Sequence, residues 1–392
     1  MAPRCAALPY SVCLIRRWPP TATLFLLHYI CHPIPRILIG QKLDSVGIGN
    51  AKVGVGWASA TMLCVVVVVA AHRKSNYRGL AEAKQCPSVC CWMLLMNTWS
   101  KYSELPFPYA KLREACQEWG CFRVMNHGVP VLLMSEMKRV ARSLLDLPIE
   151  TKNQNVEVTP GTAYIALGKV NSIYESLCLS DLNSPDAMQT FFSQLDVCPK
   201  HREVMETYSR ATLVLVMDIA NKLAKSLGLS DGSDLFKGWP CNMRMNKYSF
   251  NPETVGSCGI PMHTDGTFLT LLQDDDVVGG LEVVDSKPDS FVAVEPCPNT
   301  FFVLVGDLAV AWSNGRLSSA KHQVQCIEGR IRVSIGTFMS TPTYVAVEAP
   351  EEFVDPLNPR LYVPFTRDDY ANLRRDKKMY TDEALSFLLA RS

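Results

Sequence analysis

A chain of 392 residues with 48% hydrophobic content can bury a substantial core, and its length allows one large or two smaller domains. The net charge of +1 conceals two unlike segments: residues 1–100 hold ten Lys/Arg against two acids, a balance of +8, while residues 101–392 hold 29 bases against 36 acids, a balance of −7. Fifteen cysteines, seven in the first hundred residues and the rest without paired spacing, argue against a disulfide framework in a chain this long, and no nucleic-acid partner is expected.

The first hundred residues read as an extension. Residues 53–71 carry no charge and end in five consecutive valines, Val65 to Val69, just enough to span a bilayer, although Gly54, Gly56, Ser59 and Thr61 interrupt the run. Residues 21–31 follow Arg16 and Arg17 with the length of a signal core, but prolines crowd it, and the acid-poor composition also suits a transit peptide. A third reading is an aberrant exon or upstream reading frame attached to an ordinary enzyme. Cys86, Cys90 and Cys91 lack the second pair a zinc site needs. The expected location is the cytoplasm. A membrane contact or organelle address would have to come from this extension, through residues 53–71 in the membrane case.

From about residue 98 the pattern becomes globular. Leu112, Ala115, Cys116 and Trp119 fall at helical spacing before Gly120, and residues 121–126 then read as a short strand. An amphipathic helix is predicted over 131–145, ending before Pro148. The longest helix starts near Pro199, carries Val204, Tyr208, Ala211, Leu215, Ile219 and Leu223 on one face, and closes at Gly228. After Trp239 short runs rich in Val, Phe, Thr and Leu are punctuated by Gly and Pro, as in an all-β sandwich or barrel. Candidate strands are 243–250, 268–273, 281–284, 291–294, 301–305, 321–326 and 332–339. A jelly roll of such strands has a mouth where a ligand can sit. A last helix is predicted at 381–390.

The chemistry concentrates in His263, Asp265, His322 and Arg332. His263 and Asp265 lie two apart, so in an extended segment their side chains leave one face while Thr264 points away. His322 must arrive from another strand. Taken singly, each reads as a surface His or a capping Asp; together they form the two-His, one-carboxylate set of non-haem Fe(II) oxygenases. Zinc hydrolases more often present a helical His-Glu-x-x-His and a separate base, and neither is present. Arg332 and Ser334 alternate with Ile331, Val333 and Ile335, which places a guanidinium and a hydroxyl on one strand face, suited to a carboxylate, with Tyr248 as a further donor. Charges fit this assembly, because Fe(II), one Asp and a dianionic keto acid leave one negative charge for Arg332 to cancel.

The sequence resembles the plant 2-oxoglutarate and Fe(II)-dependent dioxygenases. The match runs over about 98–370, through Ala115-Cys116-Gln117-Glu118-Trp119-Gly120, Val124-Met125-Asn126-His127-Gly128-Val129, Asn246-Lys247-Tyr248, His263-Thr264-Asp265, Gly279-Gly280-Leu281, Gly306-Asp307, Trp312-Ser313-Asn314-Gly315, His322 and Arg332-Val333-Ser334. Within the family it is most similar to the auxin-oxidising dioxygenases, through residues 244–250, 252–257 and 272–275. The resemblance implies an α+β chain with a double-stranded β-helix (jelly-roll) core. It divides the chain into the extension 1–96, a helical N-terminal region 97–230, a jelly-roll domain 237–344 and a tail 345–392. It also implies that His263, Asp265 and His322 bind iron, and that Tyr248, Arg332 and Ser334 bind 2-oxoglutarate. Two departures stand out: residues 92–99 replace the usual Ile-Pro-x-Ile-Asp strand, and Gln323 follows His322 where Arg is usual.

The implied reaction needs Fe(II), 2-oxoglutarate and O2, with ascorbate as an assay reductant, and couples decarboxylation to succinate and CO2 with oxidation of a small organic substrate. For the auxin-like reading that substrate is indole-3-acetic acid and the product its 2-oxindole. Phe268, Phe338 and the 161–168 loop with Tyr164 are candidate pocket elements. The alternatives are the same chemistry on a gibberellin, flavonoid or other specialised metabolite, a catalytically silent barrel that binds a small acid, and a membrane-tethered protein. The oligomeric state is left open.

Overall fold

The structure is a computed structural model that describes residues 107–156, 161–229, 235–285 and 290–390, together with the backbone of 93–95. The apolar run 53–71, the stretch 21–31 and nearly all of the extension lie outside the described residues. No helix among the described residues is long and apolar enough to cross a membrane.

In chain order the elements are β1 (Met93–Leu95), α1 (Tyr109–Glu118), β2 (Cys121–Met125), α2 (Val131–Leu145), α3 (Ile149–Lys152), β3 (Tyr174–Leu179), α4 (Pro185–Gln194), α5 (Pro199–Ser226) and β4 (Cys241–Tyr248). There follow β5 (Cys258–His263), β6 (Leu269–Gln273), β7 (Leu281–Val284), β8 (Phe291–Ala293), β9 (Phe301–Val305), α6 (Asp307–Trp312), β10 (His322–Gln325), β11 (Arg332–Met339) and α7 (Arg367–Lys377). A seven-stranded sheet has the order β1-β2-β9-β6-β11-β4-β3, and a four-stranded sheet the order β5-β10-β7-β8. This is the expected α+β jelly roll.

Alternation along each strand divides the interior in two. Val333 and Ile335 on β11, Met243 and Met245 on β4, and Leu269 and Leu271 on β6 face the helices and share a core with Met134 and Met137 of α2 and Val216 and Ile219 of α5. Their neighbours of opposite parity turn inward: Tyr248, Leu272 and Leu304 meet Leu281, Val283 and Val324 of the smaller sheet. Each such side chain gains roughly 1.5–3 kcal/mol from burial. A polar bolt ties the helical layer to the sheet, since the Tyr208 hydroxyl donates to Gln273 Oε1 at 2.8 Å and Gln273 Nε2 donates to the Met134 carbonyl at 3.0 Å.

The strands predicted over 281–284, 301–305 and 332–339 and the helix over 131–145 form with those bounds. Residues 93–95, inside the stretch that replaces the usual opening strand, pair parallel with β2, so backbone hydrogen bonding at that edge survives the altered sequence. The helix expected at 381–390 is instead a 3-10 turn over Asp382–Leu388. Its N-terminal Thr381 makes no side-chain cap, and Leu389 bridges to Tyr362 in extended form. The C-terminal α-helix is α7, where Thr366 and Asp369 form a reciprocal capping box.

Candidate active site in the mouth of the barrel

His263 ends β5, and His322 opens β10 directly across from it in register, with ring centroids 4.2 Å apart. Each Nδ1 donates to a backbone carbonyl, His263 to Pro261 at 2.8 Å and His322 to Ala320 at 2.9 Å. A carbonyl can only accept, so the hydrogen sits on Nδ1 and both Nε2 lone pairs are free. Burial, then the neighbouring His322, pushes the His263 imidazole down to about 4, against the opposing pull of Asp265. A neutral ring is the form that ligates a metal. Asp265 follows β5, and its Oδ2 accepts from Thr270 Oγ1 at 2.5 Å. Its Oδ1 lies 3.6 Å from His263 Nε2 and 4.0 Å from His322 Nε2. One ion bonded at roughly 2.1 Å to each donor can span such separations. Thr264, between the donors, points away, as the alternation predicts, and donates to Asp307 Oδ2 at 3.0 Å.

The opposite wall belongs to the large sheet. On β11 and β4 the register partners are Arg332 with Tyr248, Ser334 with Asn246, and Gly336 with Arg244. Arg332, Ser334, Tyr248, Asn246 and Arg244 therefore line one cavity of about 230 Å³ with the three donors. The Arg332 guanidinium is 1% exposed. Its Nη2 donates to Asp274 Oδ1, and it lies 4.9 Å from the Tyr248 ring centroid. Its Nε and Nη1 have no partner. Burial works against this charge, but Asp274, Tyr248 and Asp275 together hold the pKa above the ordinary arginine value. Burial pushes the Tyr248 phenol up, so it remains a neutral donor. Buried cationic N–H groups without acceptors are costly, and an anion entering this cavity relieves that cost. The donor set and the guanidinium, with Nε and Nη1 left without acceptors, thus fit Fe(II) with a keto acid.

Several expectations change at this level. The charge ledger from sequence counted Arg332 alone; Asp274 offsets it, and Arg244, which also lines the cavity, restores a cation. Arg244 follows from Tyr248 and Asn246 by alternation, but its address depends on β3, where Ser176 Oγ accepts from it at 2.7 Å. Phe338 does line the cavity, whereas Phe268 does not. Phe268 precedes β6, where alternation no longer holds, and packs against Phe236, Trp239 and Trp312. Tyr164 also stays out of the cavity, because its hydroxyl donates at 2.6 Å to Glu175, which leaves the other face of β3 from Tyr174. Gln323 donates to Glu282 at 2.8 Å on the neighbouring strand and so does not reach the donors.

A jelly roll whose mouth opposes two imidazoles and a carboxylate to a buried guanidinium has the architecture of non-haem iron oxygenases that use an organic-acid co-substrate. Residues 239–341 match the model of the 2OG-Fe(II) oxygenase superfamily, and residues 104–194 match that of the non-haem dioxygenase in morphine synthesis N-terminal region. The chain is 46% identical to the 2-oxoglutarate-dependent dioxygenase DAO of rice (Oryza sativa subsp. indica) over 281 residues, which cover 72% of this chain and 93% of the rice protein. Its structure superposes on that of the rice dioxygenase for auxin oxidation with a TM-score of 0.67 at 45% identity, covering 72% and 94% of the two chains. The dioxygenase for auxin oxidation 1 of Arabidopsis thaliana, in its binary complex with 2-oxoglutarate, gives 0.64 at 45% identity, covering 69% and 99%. The chain belongs to the 2-oxoglutarate- and Fe(II)-dependent oxygenase superfamily. It is an oxidoreductase whose cofactors are Fe(II) and 2-oxoglutarate and whose substrate is a small molecule.

Proposed function

We propose that the chain oxidises indole-3-acetic acid to 2-oxindole-3-acetic acid, consuming O2 and 2-oxoglutarate and releasing succinate and CO2. The observation that carries this reading is the likeness to the rice dioxygenase for auxin oxidation over 94% of that chain. In this reading His263, Asp265 and His322 hold Fe(II), which supplies the O2 chemistry when bound. Arg332, with its two unpartnered nitrogens Nε and Nη1, grips the distal carboxylate of 2-oxoglutarate beside Ser334 and Tyr248. The remaining wall suits an aromatic acid: Ile260, Leu281, Leu304 and Phe338 offer apolar contact, and Arg244 offers a cation to the substrate carboxylate. We assign residues 97–230 as the helical region that backs the jelly-roll domain 237–344, followed by the tail 345–392. The eight described cysteines are free thiols, which supports a cytoplasmic enzyme.

The test is succinate release by the full chain with Fe(II), ascorbate and 2-oxoglutarate over a panel of indole acids, gibberellins and flavonoids. Stimulation by indole-3-acetic acid, abolished in His263→Ala, is the expected result. Stimulation by a gibberellin or flavonoid alone would redirect the substrate assignment, and a flat panel would sink the catalytic reading.

A further inference from the structure

Thr264 stands between two of the proposed metal donors, and all three of its polar groups are held from outside the barrel strands. Its N–H donates to the Tyr380 carbonyl at 2.9 Å, its carbonyl accepts from Arg374 Nη2 at 2.9 Å, and its hydroxyl donates to Asp307 Oδ2 at 3.0 Å. Fixing a residue's backbone on both sides fixes the direction of its neighbours' side chains, here His263 and Asp265.

Asp307 is the hub of this arrangement. It is fully buried at the start of α6, and its carboxylate accepts from four donors: Thr264, Ser319 at 2.6 Å, Tyr370 at 2.8 Å and Arg374 Nη1 at 2.9 Å. Its own N–H donates to the Asp265 carbonyl at 2.9 Å. Arg374 and Tyr370 both belong to α7. The guanidinium packs against the donor turn, so close that a Cβ on Gly266 would meet Nη1 at 2.7 Å. Its Nη2 also donates to the Tyr380 carbonyl at 2.6 Å. One planar fork therefore ties together the buried carboxylate, the donor turn and the chain that follows α7.

On the reading that His263 and Asp265 hold the metal, the geometry points to Arg374 as a positioning residue of the iron site, and to α7 as a working part of it although it adds no donor. A lysine in its place keeps the charge, but a point cation cannot serve Asp307, Thr264 and Tyr380 in one plane. Loss of the fork leaves Asp307 buried without its cation and frees the turn to drift.

Binding of Mn(II) to the full-length apoprotein tests this without turnover, with free ion read from its electron paramagnetic resonance signal. Arg374→Ala is expected to weaken binding about 10- to 100-fold, the range for residues that orient metal ligands. Arg374→Lys should lose part of that, and Arg375→Ala, on the same helix but outside the network, should bind as the parent chain does. Gly266→Ala displaces the guanidinium without removing charge, and serves if Arg374→Ala fails to fold. A merely structural role would lower the thermal midpoint equally with and without Mn(II), whereas a positioning role shrinks the metal-induced rise. Parent-like Mn(II) affinity in a folded Arg374→Ala or Gly266→Ala chain overturns the inference alone. If His263→Ala binds Mn(II) as the parent does, the donor assignment itself falls.

Discussion

Asp275 illustrates how single residues support the site without touching it. Burial alone would push its carboxyl up, but the N–H groups of Val333, Val278 and Val277, with Lys138, hold it below the ordinary carboxylate range. One of those bonds, from Val333 N at 3.0 Å, clamps the start of β11 next to Arg332, while Asp274 takes Arg332 itself. A carboxyl with a depressed folded pKa contributes stability in full above its unfolded value of about 3.9 and loses it as pH falls through the folded value. Asp275→Asn is therefore expected to lower stability by about 1–3 kcal/mol at neutral pH, with the gap closing as pH falls through the folded value. Urea denaturation at a series of pH values measures this, and a gap that stays constant into acid would remove the carboxylate from the explanation. The same residue pair marks a limit of reading from sequence. Arg332 is recognisable as an anion-binding cation from its strand parity, but its pairing with Asp274 arises from sheet order, which places β6 beside β11.

At the scale of elements, close approach of backbones decides where the donors sit. Gly306 precedes α6 at an ordinary φ of −99°, so its conformation is open to any residue. What is required is space, since a Cβ there would meet the Thr267 carbonyl oxygen at 2.1 Å and that of Asp265 at 2.8 Å. Gly306→Ala pushes the donor turn off α6, and is expected to cost about 1–3 kcal/mol as overpacking and to reduce metal affinity together with stability. Thermal unfolding with and without Mn(II) tests the pair of effects, and an unchanged metal-induced shift would separate the turn's position from its packing. Strands with clear alternation, such as β11, are legible because period two maps directly onto two faces. The predicted last helix is a 3-10 turn and α7 precedes it. Only Tyr370 of α7 is buried, so an apolar stripe cannot reveal it, and the Thr366–Asp369 capping box is its local signature.

For the molecule as a whole, the helical layer and the barrel mouth are separable. Phe268 is fully buried among Phe236, Trp239 and Trp312, whereas Phe338 faces the cavity. Phe268→Ala should lower stability by about 3–5 kcal/mol while leaving substrate KM near the parent value, and Phe338→Ala should do the reverse. Chemical denaturation with initial-rate kinetics distinguishes them, and a changed KM in a folded Phe268→Ala chain would return that ring to the pocket. The sequence by itself determined the jelly-roll class and the set of residues proposed to hold iron and 2-oxoglutarate. The strand period assigns each residue a face, and donor chemistry restricts which residue types can serve. Only the tertiary structure decided the Arg332–Asp274 pair, the place of Arg244 beside the donors, and the grip of Arg374 on Thr264 from 110 positions away. Contacts across such separations depend on how the sheets close and where the tail returns, and no local periodicity encodes that closure.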